Sequence, residues 1–117
     1  GTKTDLAREK LKKAKACLNT LEAQENTYSS SIDLSQRTEQ LLRFAKNRLE
    51  LIESVSFVFD QSQYESFQED NVKTLDFRNE QEPLWRRLRR AELFSDRVRS
   101  IRERIKERID SLRETIK

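Results

Sequence analysis

The residues with the greatest chemical potential open the last third of the chain, where Trp85 is followed by Arg86, Arg87, Arg89 and Arg90. Guanidinium groups bind phosphates bidentately, and an aromatic ring beside them can stack on a base or enter a lipid interface. This makes Arg86, Arg89, Arg90 and Arg97 a candidate surface for nucleic acid or an anionic membrane. On a helix, Arg86, Arg90 and Arg97 project together, roughly opposite Leu88. Glu92, Asp96, Glu103, Glu107, Asp110 and Glu114 interrupt the positive field along the same segment. The simpler account is therefore a solvated face, its arginines paired with nearby acids and Trp85 anchoring a core.

Other chemistries find less support. Glu65, Glu69, Asp70 and Asp76 form an acidic group, but calcium loops need oxygen ligands at fixed intervals around a sharp turn, usually at Gly. The one Gly is Gly1, which also leaves no phosphate-cradling loop. Histidine is absent, so the commonest general base near neutral pH and the commonest metal ligand are missing. Cys17 stands alone, without a histidine to activate it, and reads as a small hydrophobe at the edge of a helical stripe. The run Ser29, Ser30, Ser31 reads as a turn or cap. These observations argue against an enzyme, and they imply no cofactor and no metal. One unpaired cysteine and no secretory leader make a reducing, intracellular, cytoplasmic setting the expectation.

Trp85, Phe94 and Val98 on a basic helix resemble the bulky anchors of calmodulin-target helices. The resemblance spans only Trp85 to Val98, and the core of a helical bundle produces the same spacing. The broader pattern is shared with spectrin-like three-helix repeats, without a motif specific to any family.

The elements that must position these residues follow from periodicity. Leu84, Leu88, Ala91, Phe94, Val98, Ile101, Ile105, Ile109, Leu112 and Ile116 recur at three- and four-residue steps, the signature of one long amphipathic helix over about 83–116. Pro83 suits its first turn. Upstream, Ala7, Leu11, Ala14, Leu18, Leu21, Glu25, Tyr28 and Ile32 alternate four- and three-residue steps, and only Glu25 spoils the heptad. That predicts a helix over 4–28, with Thr4 or Asp5 as N-cap and a break near Ser29 to Asp33. A second helix is expected over 33–59, its wide apolar face including Leu41, Ala45, Leu49, Ile52, Val55 and Phe59.

Between these helices, residues 60–82 carry seven acidic residues against Lys73 and Arg78, whereas 83–117 carry twelve basic against six acidic. The connector can thus lie against basic helices, with a short helix near Gln61 to Glu69 and an extended stretch from Val72 to Phe77. Charged residues make up 38% of the 117 and Gly and Pro contribute one each, which suits helices and opposes a turn-rich β fold. No apolar run approaches the ~18 residues that cross a bilayer.

The expected fold is all-α: a single domain over 1–117, a three-helix antiparallel bundle of up-down-up topology with coiled-coil-like packing and a long C-terminal helix. The expected function is a non-catalytic protein–protein interaction, scaffold or oligomerisation module of a larger intracellular protein. Because the last helix looks longer than the others, its C-terminal half is expected to need a partner or a second copy. The surface for it would be Val98, Ile101, Ile105, Ile109 and Leu112, with Arg102 and Arg108 at the rim.

Overall fold

The computed structural model describes residues 1–30, 37–60 and 75–117, with side chains at 27–30 and 75–76 left undescribed. Three α-helices carry it: α1 over Thr2–Ser30, α2 over Arg37–Ser54 and α3 over Leu84–Ile116. Two 3-10 turns, Ser56–Val58 and Leu75–Arg78, complete the described secondary structure. The expected short helix from Gln61 to Glu69, with Tyr64, Glu65, Phe67 and Glu69, lies outside the described residues. So do Asp70, Val72 and the 31–36 linker.

Each helix begins and ends for local reasons. The first begins earlier than expected, so that Thr4 and Asp5 fall inside its first turn rather than capping it. The Asp5 N–H donates to the Gly1 carbonyl at 3.1 Å, and the Asp5 carboxylate sits where the positive end of the helix dipole favours it. Pro83 takes the N-cap of α3 with φ −55° and ψ 141°, and its carbonyl accepts from the N–H groups of Arg86 and Arg87, both at 3.1 Å. Having no N–H of its own, proline loses nothing at this boundary.

The second helix is shorter than its apolar pattern suggests, ending at Ser54 instead of Phe59. The Ser54 hydroxyl donates to the Leu51 carbonyl at 2.6 Å and the Ser56 hydroxyl to the Glu53 carbonyl at 2.8 Å. Such back-bonds compete with the α-helical ladder, and the β-branched Val55 and Val58 hold it less firmly than straight side chains do. The chain tightens to 3-10 bonding, with Val58 N–H donating to Val55 and Phe59 N–H to Ser56. This rotates Val55, Val58 and Phe59 into the core and leaves Phe57 exposed. Similarly, Leu75–Arg78 forms a 3-10 turn where an extended stretch had been expected through Phe77.

The core is assembled mainly on α3. Ala91, Phe94, Val98, Ile101, Ile105, Ile109 and Leu112 are all buried, facing Ala14, Cys17 and Leu21 of α1, Ala45, Leu49 and Ile52 of α2, and the 55–59 segment. Fully burying one such aliphatic side chain stabilises by roughly 1.5–3 kcal/mol, so this stripe is the main source of cohesion. On α1 the seam is turned slightly from the sequence pattern. Cys17 is 2% exposed while Leu18 is only partly buried, because small Ala7, Ala14 and Cys17 let the helices approach closely.

The bundle and the long C-terminal helix are as the periodicity implies, but the expected up-down-up path is not. Arg48 of α2 meets Glu25, which also holds Arg102 of α3. Ten residues on, the Val58 carbonyl accepts from Arg108 Nε. Moving C-terminally from Arg48 to Val58 therefore moves C-terminally along α3, so α2 and α3 run in the same general direction. The molecule measures 53 × 29 × 18 Å, close to the length of α3 itself, which at ~1.5 Å per residue is about 50 Å. The expected length mismatch nearly disappears for α1, at 29 residues against 33 for α3, and widens for α2, at 18.

Candidate functional site

Among the described residues, two places depart from a sealed bundle. The first is a groove of about 610 Å³ between the C-terminal part of α1, the first turns of α2 and the middle of α3. At its centre lies Arg48, only 3% exposed, on the same helical face as Ala45, Leu49 and Ile52. Its Nη2 donates to the Leu21 carbonyl at 3.3 Å and stands 3.8 Å from Glu25 Oε2, while its guanidinium carbon lies 4.4 Å from the centre of the Phe44 ring. Glu25 also pairs with Arg102, so one carboxylate that is half exposed serves two guanidinium groups. Burial lowers the Arg48 pKa from its ordinary value; Glu25 opposes that shift and the positive charge of Arg102 adds to it. Two polar atoms in the groove wall, Arg48 Nε and Ser95 Oγ, are buried without a hydrogen-bond partner.

This triad accounts for the one flaw in the α1 heptad. Glu25 breaks the apolar pattern because its position faces Arg48 and Arg102 rather than aliphatic side chains. Sequence reasoning passed over Arg48, although its place in the 41, 45, 48, 52, 55 series put it on the apolar face of α2. A charged residue on such a face, together with an acid on the facing stripe, was the available signal.

The second place is the start of α3. Trp85 is 63% exposed, and Leu84 and Leu93 are each 50% exposed. The expectation that Trp85 anchors the core is therefore corrected: it points away from the buried stripe, about 155° around the helix from it at 100° per residue. Leu84 and Leu88, also expected inward, are exposed and partly buried respectively, because the bundle does not extend around these first turns. The core position there is filled by Phe77, 1% exposed and 5.7 Å from Phe94 between ring centres, and Arg87 Nε ties the segment down by donating to the Phe77 carbonyl at 2.9 Å.

The expected anion-binding arginines differ in exposure and in the contacts they make. Arg86 pairs with Glu82 at 3.0 Å and lies over the Trp85 ring at 5.4 Å. Arg89 is exposed, whereas Arg90 and Arg97 are half-buried and already engaged in contacts. The aliphatic strip expected to meet a partner is placed differently too. Val98, Ile101, Ile105, Ile109 and Leu112 are at most 5% exposed, covered within the single chain. Their expected rim residues serve internal ties, Arg102 to Glu25 and Arg108 to the Val58 carbonyl. Cys17 is buried, and desolvation pushes its thiol up to about 11, well above the range in which it would react as a thiolate.

Among the described residues, no group of three or more His, Cys, Asp or Glu side chains could hold a metal ion, and no helix is long and apolar enough to cross a membrane. No protein-family model, no curated protein and no solved structure matches the chain.

Proposed function

We propose that the chain is a non-catalytic helical interaction module, and that a protein partner docks on the outer face of the first three turns of α3. The face consists of Leu84, Leu88 and Trp85 with Arg89 beside them, all within about 140° of the helix circumference, and suits an amphipathic helix with acidic flanks. One observation carries the proposal: Trp85 is 63% exposed on a helix whose core stripe is covered by its own chain. Large aromatic side chains left in water beside arginine are the usual anchors of protein interfaces, where an apolar body is buried and a polar edge stays wet. With the Val98 to Leu112 strip buried, Leu84 and Trp85 on this face remain at least half exposed and open to a partner.

The test is indole fluorescence, since Trp85 is the one tryptophan. Addition of an amphipathic acidic helical peptide is expected to shift Trp85 emission to the blue, and Leu88→Asp should abolish that response while leaving the circular dichroism unchanged. Titration of the chain alone is expected to leave the emission and the light-scattering mass constant; a rise in mass with concentration would instead make a second copy the occupant. A blue shift with anionic vesicles or oligonucleotides that vanishes in salt, with none on the peptide, would replace the reading by anion binding through Arg86 and Arg89.

A further inference from the structure

The groove around Arg48 encloses charge at a junction where apolar side chains would otherwise pack. Replacing a buried ion pair by packed apolar side chains is often neutral or stabilising, so a 97% buried arginine at a three-helix junction is a poor way to gain stability alone. Its neutralisation is also incomplete, because Glu25 is shared with Arg102. The depth of the groove therefore carries excess positive charge. At the rim the balance shifts towards acid: Glu92 and Asp96, one turn apart on α3, are both exposed and line the opening, against one exposed cation there, Arg99. Leu41 and Phe44 of α2 form an apolar wall between depth and rim. A simple polyanion is disfavoured by Glu92 and Asp96, and a simple cation by Arg48 and Arg102. The complementary ligand has a negative end directed inward, a positive group outward and an apolar body between.

We propose that this groove captures the C-terminal residue of a peptide, with its carboxylate against Arg102 and Arg48, its apolar side chain on Leu41 and Phe44, and an upstream basic residue meeting Glu92 and Asp96. Arg102, whose side chain is 20% exposed, is the group a carboxylate reaches directly, and Arg48 supports the charge from behind. The arrangement suits a chain end better than an internal acidic side chain, because only the end brings the carboxylate and the neighbouring side chain from one residue. The volume, about 610 Å³, lies within the range of sites that hold a small ligand or one or two residues. None of these residues belongs to the Trp85 face, so this site and that docking surface stand or fall separately.

The probe is the dipeptide lysyl-leucine, titrated into the full chain labelled with nitrogen-15 and followed through the side-chain Nε–H signals of Arg102 and Arg48. The free acid is expected to move both signals saturably, while its C-terminal amide binds at least about tenfold more weakly, the loss expected when a charge-assisted contact is removed. Arg102→Gln should weaken the acid by a similar factor. Because that variant could disturb the junction, Glu92→Lys with Asp96→Lys provides a second measurement: it should weaken lysyl-leucine and leave acetyl-leucine unchanged or tighter. Equal binding of acid and amide, or no movement of the Arg102 signal with either, overturns the proposal. Trp85→Ala is expected to leave all these responses unaltered.

Discussion

The two ends of α3 carry the same kind of amphipathic pattern and meet opposite fates. From Ala91 to Leu112 every stripe residue is buried, while at the start Leu84 is half exposed and Leu88 only partly buried. Both ends are rich in arginine. What differs is the neighbouring structure: among the described residues, α1, α2 and the 55–59 segment converge on the C-terminal two-thirds, whereas the Leu75–Arg78 turn packs against the beginning. An apolar face thus reports that cover is needed, and the rest of the chain decides whether it is supplied internally.

Substitution can break this contrast. The largest effects are expected where the cover is complete. Phe77→Ala, removing the ring against Phe94, should cost about 3–5 kcal/mol, and Ile105→Ala about 2–5 kcal/mol, read from chemical denaturation. At the junction between the two regions, Glu25→Gln leaves Arg48 with no carboxylate; half-exposure of Glu25 moderates the penalty to roughly 1–3 kcal/mol. Arg48→Met tests the same point in reverse, with stability expected to be unchanged or improved. If Arg48→Met instead cost as much as Ile105→Ala, the triad would be a mainstay of the fold and the case for a ligand groove would weaken.

A smaller effect depends on pH. The Cys17 thiol is raised to about 11 in the folded chain by burial, above its ordinary value near 9.0, so the unfolded chain loses its proton first as pH rises. Stability attributable to Cys17 is fully present below about pH 9 and falls between roughly 9 and 11, by about 1.4 kcal/mol per unit at most. Cys17→Ala should flatten that part of the profile, and its persistence would assign the slope to other groups. The smallest effect is expected at the uncovered end, where Trp85→Ala should alter stability by about 0.5 kcal/mol or less. A loss of several kcal/mol there would mean that the tryptophan is covered in solution, erasing the contrast between the ends.

Much of the architecture was legible because helical periodicity is a local property. The 83–116 helix was marked by its stripe, and the stripe from Ala91 to Leu112 is the core; Pro83 marked the boundary. Less legible was the end of α2, where serine hydroxyls and β-branched residues competed with a pattern that looked helical as far as Phe59. The candidate site was only half visible. Glu25 showed as an anomaly in its heptad, but Arg48 did not show as its partner, because pairing across helices depends on register and direction that no single stripe encodes. The strip from Val98 to Leu112 was correctly apolar and wrongly supposed to lack internal cover.

The amino-acid sequence by itself determined that this chain would form rods with greasy sides, since side-chain hydrophobicity at a 3.6-residue period acts within each segment independently of the others. Only the tertiary structure decided which greasy sides would meet, that α2 and α3 would run the same way, and that one arginine would be enclosed with half a share of a carboxylate. Those outcomes depend on the summed packing of residues distant along the chain, and many arrangements compatible with the same stripes differ by only a few kcal/mol.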